Sequence, residues 1–123
     1  MQFNFNSTEP IYLQVAEQIE EAIFTQTFAE GTQIPSTTEI SKEFHINPAT
    51  VLKGMNILVD NQLIEKRRGV GMFVIAGAQA RVVAKRRDQF YDDYVKKLVS
   101  EARKLHITKE ELAQLIERGF ATQ

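Results

Sequence analysis

The chain has no cysteine among its 123 residues, so neither a disulfide framework nor a thiolate zinc site can brace the fold. Stability has to come from side-chain packing, with association between chains as a further aid to a short polypeptide. Long apolar runs are missing too: no uncharged stretch approaches the roughly 20 residues that a membrane span needs. The opening Met1-Gln2-Phe3-Asn4-Phe5-Asn6 lacks the basic-then-apolar pattern of an export signal. A soluble, cytoplasmic protein without membrane association is expected. Also absent are a Gly-rich nucleotide loop, a nucleophile elbow and an acid/base constellation, which argues against an enzyme. His45 and His106 stand apart from each other and from any paired carboxylates at ligand spacing. Neither a metal site nor a cofactor is expected, and a turn position suits His45 better.

Positive charge is scarce where it would matter most. The net charge is −1, but residues 1–75 hold 5 Lys/Arg against 9 Asp/Glu, a net of −4, while residues 76–123 hold 10 against 7, a net of +3. Bulk charge therefore gives no basic footprint to the first part of the chain. Any contact with nucleic acid there has to rest on a few well-placed cations.

What is present is helical periodicity in a chain long enough for one domain and an appendage, 43% hydrophobic and 25% charged. Pro10 suits a first helical position, and Ile11, Val15, Ile19 and Ile23 recur every fourth residue, with Ala16 and Ala22 beside them. This predicts an amphipathic helix to about residue 25, with Glu17, Glu20 and Glu21 on its wet side. After Gly31 and Pro35, Ser36-Thr37-Thr38-Glu39 has capping-box spacing. A short second helix should run to Phe44 and bury Ile40 and Phe44. A break at His45-Ile46, a cap at Asn47 and Pro48 in the first turn then open a third helix ending near Asn61. Its apolar stripe is Val51, Met55, Leu58 and Val59.

Two short helices about three residues apart match the helix-turn-helix pattern. Leu63-Ile64-Glu65-Lys66, Arg67-Arg68-Gly69-Val70-Gly71 and Met72-Phe73-Val74-Ile75 then read as two strands around a basic, Gly-bearing turn. A hairpin in that place is a wing. Residues 78–105 contain neither Pro nor Gly, and Val83, Phe90, Tyr94, Leu98, Ala102 and Leu105 lie mostly three or four apart, predicting one long helix. A last short helix starts at a second capping box, Thr108-Lys109-Glu110-Glu111, presents Leu112, Leu115 and Ile116, and ends near Gly119. The expected fold is mainly α with a small β-hairpin: a winged helix-turn-helix over residues 1–75 and a two-helix dimerisation tail over residues 76–123.

Ile34-Pro35-Ser36, Asn47-Pro48-Ala49-Thr50-Val51 and the run from Leu63 through Val74 appear in the order and spacing of the GntR superfamily of bacterial regulators, which the chain resembles. The opening Glu9-Pro10-Ile11-Tyr12-Leu13-Gln14-Val15 is similar as well, and the short tail resembles the YtrA subfamily. The 48 residues after Ile75 leave no room for the larger metabolite-binding domain of most relatives. The resemblance implies a homodimer joined through the tail, often repressing a transporter operon. It also marks departures. Many relatives carry a DNA-touching arginine where this chain has Thr38, Pro48 and Leu52.

Double-stranded DNA is the expected partner. Ser36, Asn47 and Thr50, at or near helix N-termini, together with Thr38 in the second helix, would position the protein on phosphates, with Ser36 and Asn47 equally suited to pure capping. Ala49, Thr50 and Lys53 would face the major groove, Lys53 donating to guanine O6 or N7 and the other two touching thymine methyls. Lys66, Arg67, Arg68 and Gly69 would take the wing to a phosphate or a narrow minor groove. Arg81, Lys85, Arg86 and Arg87 suit either a DNA flank or a solvated face. Val83, Phe90, Tyr94, Leu98, Ala102, Leu105, Leu112, Leu115 and Ile116 form the expected dimer interface, with Tyr91 beside them. An unidentified small-molecule effector between the tail helices is a further expected partner. The acidic balance of residues 1–75 supports a second class, a winged-helix module that binds protein.

Overall fold

A computed structural model describes residues 1–122. In chain order the elements are α1 (Ile11–Phe24), β1 (Gln33–Ile34), α2 (Thr37–Phe44), α3 (Pro48–Asp60), β2 (Ile64–Arg67), β3 (Gly71–Val74), α4 (Ala78–Phe90), a π-helical turn (Tyr91–Val95), α5 (Lys96–Lys104) and α6 (Lys109–Thr122). They fall into two compact units, Met1–Ala84 and a second beginning at Lys85.

In the first unit α1 points Val15, Ala16, Ile19 and Ile23 inward, the predicted stripe, with Pro10 one place earlier than expected as its N-cap. Ser36 and Glu39 form the reciprocal capping box of α2: Ser36 Oγ accepts from the Glu39 amide at 3.0 Å and the Glu39 carboxylate accepts from the Ser36 amide at 3.1 Å. Helix α2 ends at His45, whose φ of 56° is left-handed, and the Ile46 amide folds back to the Ser41 carbonyl at 3.1 Å. That tight reversal brings α3 across α1 and α2. Helices α1 and α3 meet at Gly54, where a Cβ would lie 2.7 Å from the Tyr12 carbonyl oxygen and 2.9 Å from Val15 Cβ. Only a residue without a side chain admits that approach.

The sheet has three strands in the order β1-β3-β2, all antiparallel, so the expected hairpin gains a partner. Strand β1 is two residues long and squeezed between Gly31 and Pro35, too short to show any alternation. Register pairs Ile64 with Val74, Glu65 with Phe73, Lys66 with Met72 and Arg67 with Gly71. Opposed residues share a face, so Ile64, Met72 and Val74 close the core while Glu65, Arg67 and Phe73 lie outside.

The core does not stop at the wing. Ala78 and Val82 of α4 are buried with it. Two backbone donors at the start of α4 are satisfied from far away in sequence: Gly77 N–H donates to Glu30 Oε1 at 2.7 Å and Gln79 N–H to Glu30 Oε2 at 3.2 Å. Gln79 also donates to the Phe24 carbonyl at 3.0 Å. At the other end, buried Gln14 exchanges bonds of 2.8 and 2.9 Å with the Asn4 backbone, holding the N-terminal arm, and Phe3 meets Phe44 edge-on at 5.1 Å.

The long helix predicted over residues 78–105 is interrupted in the second unit by the π turn, where the Lys96 amide bonds five residues back to Tyr91. The apolar steps Phe90, Tyr94, Leu98 and Ala102 are each four residues. Three such steps outrun three α turns by about one residue, and a π turn absorbs about that excess. Helix α5 ends at Leu105, with His106 left-handed at φ 56° and the Ile107 amide bonded to Ala102 at 2.9 Å. The second capping box is formed, with Glu111 and Thr108 bonded at 2.9 and 3.1 Å. Of the residues expected on one interface stripe, Ala102 is buried within the unit by its own neighbours and Leu112 is half-buried. Phe90, Tyr94, Leu98, Leu105, Leu115 and Ile116 are exposed, while Val83 belongs to the first unit.

Candidate nucleic-acid interface

Helix α3 has a buried side of Val51, Gly54, Met55 and Leu58. The opposite side exposes Ala49, Leu52, Lys53 and Asn56, spaced i, i+3, i+4 and i+7 along one face. Ala49 and Lys53, expected to face a major groove, are both exposed on this side of the helix. Thr50 is turned partly toward the protein. Leu52, 48% exposed, and Asn56 join the face although neither was singled out as a contact; continuing the helical spacing from Ala49 and Lys53 finds both.

Capping leaves the N-terminal groups equipped for an anion. Asn47 Oδ1 accepts from the Ala49 amide at 2.8 Å, which uses its acceptor and leaves its NH2 group for a phosphate oxygen. Ser36 likewise uses its oxygen as acceptor and keeps its O–H as a donor. Capping and phosphate contact draw on different atoms of the same side chain, so the two roles are compatible. Thr38 is exposed in the first turn of α2.

The wing separates its cations. Arg67 Nε donates to Glu65 Oε1 at 3.2 Å and its guanidinium lies 3.9 Å from the centroid of the Phe73 ring, both partners on the outer face of the sheet. Lys66 and Arg68 are exposed, and their side chains have no hydrogen-bond or ion-pair partner among the described residues. The Val70 amide closes residues 67–70 through the Arg67 carbonyl at 2.9 Å, with Gly69 at φ +75°. Space around Gly69 is open, whereas Gly71 has the Gln33 amide where a side chain would be. That amide donates to the Val70 carbonyl at 2.8 Å and props the turn. Gln33 escaped the sequence reading because its strand did.

Arg81 bonds the Gln62 carbonyl at 3.2 Å and the Ala76 carbonyl at 3.4 Å, which gives it a structural task. Lys53 has a different kind of partner: its Nζ sits 4.0 Å from the centroid of the Tyr12 ring.

The order and packing of α1, α2, α3 and the wing are those of a winged helix-turn-helix, and residues 11–74 match the family model for bacterial regulatory proteins of the gntR family. The chain belongs to the GntR family. The matched residues run from the start of α1 to the end of β3, which takes in both the exposed face of α3 and the wing. Among its relatives, the HTH-type transcriptional regulator YhcF of Bacillus subtilis (strain 168) is 29% identical over 114 residues, covering 93% of each chain. The HTH-type transcriptional repressor YtrA of the same organism is 27% identical over 116 residues, 94% of this chain and 88% of that one. A GntR-family regulator from Bacteroides thetaiotaomicron has 28% identity and a TM-score of 0.72, with 92% of this chain and 98% of that chain aligned. These alignments extend through the short tail, and the chain falls in the YtrA subfamily of GntR regulators.

Proposed function

We propose that this GntR-family DNA-binding regulator acts in the bacterial cytoplasm as a homodimeric repressor on a pseudo-palindromic operator. The face of α3 carries the reading: Ala49, Leu52, Lys53 and Asn56 present apolar and hydrogen-bonding groups on one side of a helix whose N-terminus also offers Asn47. Ala49 and Leu52 match a thymine methyl, Lys53 a guanine edge and Asn56 an adenine edge. Ser36, Thr38 and Thr50 add donors for phosphate, and Lys66 and Arg68 extend the grip from the wing. Few cations per head mean that two heads are needed for tight binding. The exposed Phe90, Tyr94, Leu98, Leu105, Leu115 and Ile116 of the second unit support a dimer made through the tail.

Gel shift with the DNA upstream of the gene against random duplexes, at several salt concentrations, tests the reading. Specific duplex is expected to bind at least a thousandfold more tightly than random duplex, within the usual range of about 10³–10⁷. Arg68→Ala is expected to lower affinity and to flatten the salt slope by about 0.9 for each phosphate left without its cation. Equal binding to specific and random duplexes removes the operator from the proposal. Leu115→Asp with Ile116→Asp should yield monomers in analytical ultracentrifugation; an unchanged dimer would remove the tail from it.

A further inference from the structure

We infer that Tyr12 is a positioning residue for DNA recognition: its ring is a neutral platform that holds the Lys53 ammonium on the reading face of α3. The inference rests on the reading of Lys53 as a DNA contact.

Three observations converge on it. The first is that α1 and α3 touch at Gly54, close enough for a Cβ there to collide with the Tyr12 carbonyl. Lys53 is the next residue, so this contact delivers its side chain to the rim of α1, where the half-buried Tyr12 ring receives Nζ at 4.0 Å from its centroid. A second is the chemistry of the partner. Arg67 pairs with the Glu65 carboxylate as well as stacking on Phe73; the ring that holds Lys53 attracts it through a quadrupole and brings no opposing charge. An ammonium has three N–H donors, and a ring engages it from one side only. The others remain for a base or phosphate oxygen.

The third is the setting. Residues 1–75 carry only 5 Lys/Arg against 9 Asp/Glu, so each cation on the reading face counts. A lysine already resting on an aromatic face loses less rotamer freedom when DNA arrives. Specificity at the base facing Lys53 would then depend on a residue of α1 that need not touch DNA itself.

The probe is the duplex that the full chain selects from a random-sequence library. Tyr12→Phe keeps the ring and should bind it within twofold of wild type. Tyr12→Leu should weaken binding about fivefold and relax the preference at the same base position that Lys53→Ala relaxes. In the Lys53→Ala background, Tyr12→Leu should add nothing. Equal losses with and without Lys53 would show a merely structural role and overturn the inference alone. A Lys53→Ala variant that binds as wild type would sink the Lys53 contact and the inference together. A readout independent of variant folding is the NMR shift of the Lys53 ε-methylene protons, expected upfield from the ring in both free and DNA-bound protein. Loss of that displacement on DNA binding would mean that Lys53 leaves Tyr12, and the platform idea would fall.

Discussion

Among the described residues, the first compact unit buries 16 apolar side chains in one cluster, from Val15 to Val82, whereas the second buries only Ala102. The second is not short of apolar groups: Phe90, Tyr91, Tyr94, Leu98, Leu105, Leu115, Ile116 and Phe120 are all more than 40% exposed. Its helices are well made, with a left-handed stop at His106 and a complete capping box at Thr108. Good local helix chemistry contributes only a little to stability without burial, since helices draw most of theirs from packing an apolar face. The contrast separates a unit that closes its own core from one whose apolar surface calls for cover.

The sharpest way to break that contrast is truncation. Ile19→Ala is expected to cost about 2–5 kcal/mol in urea denaturation, because Ile19 is fully buried. The same kind of truncation at exposed Leu98 should leave that transition unmoved, and a comparable loss at both positions would erase the distinction. Next comes Gly54→Ala, expected to destabilise by about 1–3 kcal/mol despite a gain in helix propensity of about 1 kcal/mol. The new Cβ meets backbone and a β-branched neighbour, neither of which yields easily. Glu30→Ala should cost about 0.5–2 kcal/mol and speed hydrogen exchange at the Gly77 and Gln79 amides it now satisfies.

The smallest effect belongs to the tail. The backbone hydrogen bond from Thr108, with its side-chain bond, holds the Glu111 carboxyl below the usual glutamate range. Because the folded value is the lower one, the contribution to α6 is complete above the unfolded value and is lost as pH falls through the folded value. An NMR titration should show the Glu111 shift diminished but not abolished in Thr108→Ala, as the backbone donor remains. A Glu111 value unchanged by the substitution would assign the shift to the backbone bond alone.

Legibility in the sequence followed the same division. The helices of the first unit, both capping boxes and the wing could be read from periodicity and cap residues, because there the local preferences and the burial agree. Strand β1 could not, since two residues carry no period. The π turn was hidden because spacing of three and four is common to one unbroken helix and to one with an inserted residue. On α3, the exposed Lys53 and Ala49 were legible from the helix start, but the contacts made by Tyr12, Gln33 and Glu30 were not. Each acts on a residue at least 37 positions away, and single-sequence pattern reading does not reach that far. The stacking of Arg67 on Phe73 was equally invisible, as it depends on strand register.

Glu30 has a consequence for anyone who would build chimaeras from this chain. The sequence invites a joint at Ile75, where the wing ends. A graft made there would discard Ala78 and Val82 from the core and leave the Glu30 carboxylate with no helix to cap. Exchanged after Ala84, a foreign tail would inherit an intact first turn and a finished reading head. The modular seam lies inside a helix, two turns beyond the place where the secondary structure changes.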